Sequence, residues 1–344
     1  WADEPLGADV AKGKQVNWQW TRFGPSAREP LVIAAYGDED AACPLIVAAP
    51  GINITSDEPV GNMAIVGINF ESPGGGYGIR WIGSGGNLLI EDCRIAGYHQ
   101  NVVVQTRGDV PIADVRLRRN IIVDAHGGRA QGLYAQFVDR LLLEENVFDH
   151  NGWRRDDPDA PPTMFNHNVY TKSLLHGVFR GNIFARASSF GATASADNTR
   201  QPVRDFLMED NLFLANGNTF THGAGANHAI QRSTIRRNVF TQTGRTLGEE
   251  PQSFGLDVGS GRDVLVEGNL FIHKPAHGTS FGVRLKSPQD HAVLRGNTFL
   301  GWHGPCVQLT GRAGGFEGVV LDSNRFAPTT GEVAFSQSDT GGRP

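Results

Sequence analysis

Short apolar runs alternate with polar turns along the chain, registered on a recurring segment: apolar, any, Gly or polar, Asn, any, apolar. The Asn is Asn120, Asn146, Asn182, Asn211, Asn238, Asn269, Asn297 and Asn324, at intervals of 26, 36, 29, 27, 31, 28 and 27 residues. Ile68 and Cys93 centre two earlier copies, and Cys43 is a candidate first centre 25 residues before Ile68. Three residues before the ten later centres stand Ile65, Ile90, Leu117, Leu143, Phe179, Met208, Ile235, Val266, Leu294 and Leu321. Two residues after them stand Phe70, Ile95, Ile122, Phe148, Phe184, Phe213, Phe240, Phe271, Phe299 and Phe326. Both columns are wholly apolar, and single-residue alternation around them predicts strands with one face inward.

Units of this size bury a face only by stacking on one another. Stacking at about 4.8 Å brings like residues into register, so about ten coils give a rod roughly 45 Å long. The expected fold is therefore an all-β parallel β-helix solenoid, with Asn side chains hydrogen-bonded in a ladder at the turn. A leucine-rich repeat would place its Asn after several fixed Leu and use a shorter period. Residues 1–28 lie outside the repeat. Their segment ADVAKGKQVNWQW is expected to form a short amphipathic helix that caps the open end of the stack. Residues 29–328 form the solenoid and 329–344 a tail.

The coil centres read GNIF, DNLF, RNVF, GNLF, GNTF and SNRF. With them, the chain resembles the right-handed parallel β-helix proteins of the pectate-lyase-like superfamily over roughly residues 30–328. The resemblance implies right-handed coils. It leaves activity open, because the superfamily includes polysaccharide lyases, glycoside hydrolases, epimerases, esterases and phage tailspikes.

Composition and charge narrow the classes. Glycine supplies 44 of 344 residues, which suits many turns. A net charge of −5 offers no global basic field, so no nucleic-acid partner is expected. No run of 18 apolar residues occurs, which argues against a membrane-spanning helix. Cys43, Cys93 and Cys306 are too few for a disulfide framework and read as small packed residues. The chain starts at Trp1, so an export signal would already have been removed, and a secreted or periplasmic location is expected. The oligomeric state is left open.

A second set of strands precedes the centres: YGIRWIG, NVVVQT, GLYAQF, NVYTKS, GATASA, HAIQR, GLDVGS, GVRLKS and CVQLTG. Alternation turns Ile79, Leu133, Val169, Ala192, Leu256, Val283 and Val307 inward. It leaves Arg80, Tyr134, Gln136, Tyr170, Lys172, Thr193, Ser195, Asp257, Arg284, Lys286 and Gln308 on a stacked polar face. His99, His126, His167, His222, His277 and His303 are expected in the turns just before these strands, either as turn residues or as part of a site. The 36-residue interval is the oversized coil. Its extra residues fall between Phe148 and Phe165 and carry His150, Trp153, Arg154 and Arg155. They are expected to wall a groove beside His167, Tyr170 and Lys172.

An open groove along a rod suits a polysaccharide. β-Elimination of a uronate chain needs positive charge or a metal on the carboxylate, a base for the C5 proton and an acid for the leaving oxygen. Lys172 is the candidate base and Tyr170 or His167 the candidate acid. Arg200, Arg284 and Lys286 are candidates for substrate carboxylates, and His126, Tyr134, Gln136, His150, Trp153, Arg155 and Asp257 for other contacts with the sugar chain. The resemblance implies that lyases of this superfamily use Lys or Arg bases, often with calcium, or His and Tyr pairs. The Lys172 strand is similar to the lysine-bearing strand of chondroitinase-B-like and alginate lyases. Where those enzymes carry an arginine motif one coil later, residues 191–197 read GATASAD. Asp156, Asp157 and Asp159 could bind calcium, or simply be solvated in a Pro-rich loop; no metal site is assigned. The alternatives are a glycoside hydrolase using Asp257 with Asp197 or Asp149, and a non-catalytic glycan-binding β-helix.

Overall fold

The computed structural model describes residues 23–37, 42–155, 157–196, 201–223, 229–244, 252–273, 279–302, 304–312, 314–327 and 335–338. The expected cap helix, Asp156, Asp197, Arg200, His277 and His303 lie outside these residues. Within them the regular structure is all β. Parallel strands form a 22-stranded sheet, to which most coils give two strands, and an 11-stranded sheet.

The turn at each centre explains the "Gly or polar, Asn" signature. The residue before the centre is left-handed throughout, from Asp92 (φ 53°), Arg119 (50°) and Glu145 (56°) to Gly181 (66°), Gly268 (61°) and Gly296 (61°). That conformation costs an ordinary L-residue about 1 kcal/mol and glycine very little.

Both predicted apolar columns are in register. Ile46, Phe70, Ile95, Ile122, Phe148, Phe184, Phe213, Phe240, Phe271, Phe299 and Phe326 pair in succession, so the first centre is Pro44, one residue after the expected Cys43. Successive Phe rings from Phe184 to Phe299 lie 4.7–5.0 Å apart, near the coil rise itself. Beside them runs the Asn ladder. Asn120, Asn146, Asn182, Asn211, Asn238 and Asn269 each donate Nδ2–H to the next Asn Oδ1 at 2.9–3.0 Å, and Asn297 does so to Asn324 at 2.9 Å. Each also donates to a backbone carbonyl, as Asn182 does to Leu143 at 2.8 Å. Buried polar groups cost stability unless paired in this way.

The apolar pattern does not announce a further column of alternating charge. Glu91, Arg118, Glu144, Arg180, Glu209, Arg236, Glu267, Arg295 and Asp322 pair coil by coil, each two residues before a centre. Arg118 bridges Glu91 at 3.2 Å and Glu144 at 2.8 Å, and Arg236 reaches Glu209 at 2.7 Å.

The structure corrects four expectations. The tail contains a strand, Phe335–Ser338, which pairs with Val307–Thr310 and extends the sheet past residue 328. Cys43 is exposed, whereas Cys93 and Cys306 are buried. Ile230, Gln231 and Arg232 of the HAIQR segment begin strand Ile230–Arg236, which pairs with Val203–Arg204 and Leu207–Glu209 and not with the polar-face strands. The polar-face strand of that coil is Asn218–His222, so His222 ends a strand, paired with Val258, and does not precede one. His222 is buried between Phe206 and Phe220, an inward core position.

Candidate functional site

All seven predicted inward residues of the polar strands are fully buried, and this fixes what their neighbours present outside. Four successive strands, Tyr77–Glu91, Gln100–Thr106, Gln131–Glu144 and His167–Leu175, align three columns. One runs Tyr77, Gln100, Gln131, His167; the next Arg80, Val103, Tyr134, Tyr170; the third Ile82, Gln105, Gln136, Lys172. They floor a groove of about 470 Å³, with Arg129 and Phe165 at its sides.

The three candidate catalytic residues meet here. The His167 and Tyr170 rings lie 5.0 Å apart, and Tyr170 lies 5.7 Å from Tyr134. Tyr170 and Lys172, two residues apart on one strand, face the same way. The Phe190 N–H donates to His167 Nδ1 at 3.2 Å, so Nδ1 is unprotonated and the neutral ring carries its proton on Nε2. Burial pushes the His167 pKa down to about 3, so the ring stays neutral at ordinary pH. His167 is thus a hydrogen-bond donor to the groove, with no lone pair left on Nδ1 for a substrate proton.

The floor is polar and ordered. Gln136 Oε1 accepts from Gln105 Nε2 and from the Tyr134 hydroxyl, both at 2.9 Å. Gln131 donates Nε2–H to the Phe165 carbonyl at 2.8 Å, which orients its amide because a carbonyl can only accept. Its Oε1 is buried with no partner among the described residues.

The oversized coil contributes differently from expectation. Phe165, 58% exposed, is its only residue lining the groove among those described before His167. His150 instead donates to Asp124 at 2.9 Å and packs against Trp153, whose Nε1–H donates to the Arg186 carbonyl at 3.0 Å. That hydrogen bond from His150 holds the Asp124 carboxyl below its ordinary range. His126 donates Nδ1–H to the Asp124 carbonyl at 3.1 Å, and burial lowers its pKa. His126, His150, Trp153, Arg154 and Arg155 are not part of the groove lining. For Trp153, Arg154 and Arg155 the physical reason is that the insertion leaves the rod after Gly152 and returns at Asn166, so only its returning arm meets the polar face; His126 and His150 are held on Asp124.

Asp257, Arg284 and Lys286 share the polar face but are engaged with one another. Asp257 follows Tyr170, Thr193 and Thr221 in one column, three coils on. It accepts from Arg284 at 2.9 Å and Lys286 at 2.7 Å, and Arg284 stacks on Phe254 at 3.8 Å. Burial opposes its charge, yet these hydrogen bonds and the two cations outweigh that and keep the carboxyl below its usual range. Asp157 Oδ1 accepts the Asp159 N–H at 2.9 Å, and no three His, Cys, Asp or Glu side chains converge as a metal site among the described residues.

Arg129, Gln131 and Phe165 were missed from sequence. Gln131 was within reach, because it occupies the His167 place one coil earlier.

A family model described as a right handed beta helix region matches residues 50–271. The chain belongs to that family. No curated protein matches it. Among solved structures this β-helix is similar to the A-module of the Azotobacter vinelandii mannuronan C-5 epimerase AlgE4. The TM-score is 0.51 at 14% identity, over 89% of this chain and 86% of that one. It is also similar to the Dettilon tailspike protein gp208, with a TM-score of 0.50 at 12% identity, over 96% of this chain and 63% of the tailspike. At these identities the likeness is one of fold.

Proposed function

We propose that this β-helix protein is a polysaccharide lyase that cleaves a uronate-containing glycan by β-elimination in the groove at His167, Tyr170 and Lys172. One observation carries the reading: the lining combines Arg80, Arg129 and Lys172 with tyrosines, glutamines and a neutral imidazole, and contains no carboxylate among the described residues. A hydrolase needs two carboxyl groups across its cleft. Here Asp257 is held by two cations and Asp149 by Arg186. The mannuronan named for the epimerase of similar fold is itself an acidic glycan, which fits the same substrate class.

In this reading Arg129 and the His167 Nε2–H hold the sugar carboxylate and stabilise it as it takes enolate character. Lys172 removes the C5 proton. The C4–O bond breaks, C4=C5 forms, and Tyr170 gives its proton to the departing oxygen. Phe165 covers an apolar ring face. A polymer of this size does not enter cells intact, so the enzyme acts in a secreted or periplasmic setting.

The test is a screen of the purified protein against polyuronates and glycosaminoglycans, recording ultraviolet absorbance of unsaturated uronate and new reducing ends together. Both should rise, and Lys172→Ala should abolish the rise while leaving thermal unfolding unchanged. Reducing ends without absorbance would overturn elimination in favour of hydrolysis. Inversion at C5 with neither signal would replace it by epimerisation at the same site.

A further inference from the structure

Arg80 stands out among the groove cations. Its guanidinium lies over the Tyr77 ring at 4.6 Å, and its Nε is buried with no hydrogen-bond partner among the described residues. Its side chain lines the groove, and that lining holds no carboxylate among the described residues to pair with it. Arg80 shares a column with Tyr170, separated by Val103 and Tyr134. Three coil rises put the two about 14 Å apart. Between them Val103 and the Tyr134 ring offer apolar surface on which sugar rings can rest.

We propose that Arg80, seated on Tyr77, is a second anion subsite that binds another carboxylate of the same glycan, so that the polymer runs along the stack of coils and across the strands. This rests on the acidic-glycan reading above. A pyranose advances a 1→4-linked chain by roughly one coil rise, so a carboxylate at His167, on the Tyr170 strand, and one at Arg80 belong to units three apart. The shortest chain that reaches both is a tetrasaccharide. The two terminal Nη groups of a guanidinium offer two parallel N–H donors, matched to a carboxylate. A sulfate ester shares this chemistry, and the experiment separates the two.

Oligouronates from disaccharide to hexasaccharide are titrated calorimetrically into the intact protein carrying Lys172→Ala, which prevents turnover. Affinity should step up about tenfold or more between trisaccharide and tetrasaccharide, the scale of a charge-assisted hydrogen bond. Adding Arg80→Gln should erase the step and leave disaccharide affinity unchanged, and Arg80→Lys should restore part of it. A step that survives Arg80→Gln, or no step at all, overturns the subsite. A step seen only with sulfated neutral oligosaccharides overturns the carboxylate assignment. The two readings fail separately: a length step without any turnover by the wild-type protein leaves the subsite and sinks the lyase, whereas turnover with no step sinks the subsite alone. Failure of every oligouronate to bind overturns both.

Discussion

Along the alternating column Arg118, Arg180, Arg236 and Arg295 each sit against a glutamate. In the groove Arg80 and Arg129 line the wall with no carboxylate beside them among the described residues. Both sets lie on the outside of the same stack, and one residue type does two jobs. In the column the carboxylates are shielded, Glu209 to 7% exposure, so each arginine completes a pair. In the groove the floor is built from amides and phenols, and no carboxylate stands in the lining with Arg80 and Arg129 among the described residues. Paired arginines should therefore matter to stability and unpaired ones to binding.

The comparison can be broken in several places. The largest stability effect is expected at the buried ladder beneath the column. Asn182→Leu removes the acceptor of the Asn146 N–H and Nδ2–H and the donor to the Leu143 carbonyl. The loss should be about 3 kcal/mol or more, read from the urea midpoint, since each orphaned buried group costs about 1–3 kcal/mol. A loss below about 1 kcal/mol would mean that the ladder is not a structural element.

Glu209→Gln comes next, at about 1–2 kcal/mol, because Arg236 and Arg237 both bond this carboxylate but are exposed enough to turn to water. High salt should shrink the difference between wild type and variant. An effect as large as that of Asn182→Leu would show the column to be core.

The third effect is a pH slope. The His167 and His222 pKa values, about 3 and about 4, are depressed from an ordinary 6.5 by burial. Between those values the unfolded chain binds more protons than the folded one, so the stability these rings contribute is complete above about pH 6.5 and is lost as pH falls towards 4 and then 3. Urea midpoints should fall from pH 7 to pH 4.5 with a slope on the order of 1 kcal/mol per pH unit for each ring. His222→Phe, which suits a site between Phe206 and Phe220, should flatten that slope. An unchanged slope would place the acid sensitivity elsewhere.

Arg129→Gln should give the smallest stability change, within about 0.5 kcal/mol, while weakening polyuronate binding. If it destabilises as much as Glu209→Gln, groove and column are not opposites.

The sequence carried the fold because the two apolar columns and the Asn are set by the coil period alone. It also carried the meeting of His167, Tyr170 and Lys172, which one strand brings together. What it did not carry depends on contacts between coils. His222 was misread because two strands, Asn218–His222 and Ile230–Arg236, precede the Asn238 centre, and alternation alone does not say which lies on the polar face. The pairing of Asp257 with Arg284 and Lys286 depends on residues 27 and 29 positions away, as the orientation of Gln131 depends on the Phe165 carbonyl. The path of the insertion is a matter of where a loop leaves and returns, which composition does not encode.

The charged column has one further consequence, for how such a rod grows over evolutionary time. Its Phe and Asn rows repeat after one coil, whereas acid and base repeat only after two. Duplicating a single coil within it would satisfy the interior and set two like charges side by side; duplicating a pair would satisfy both. The molecule therefore has a parity, and lengthening or shortening by even steps is the route that its surface favours.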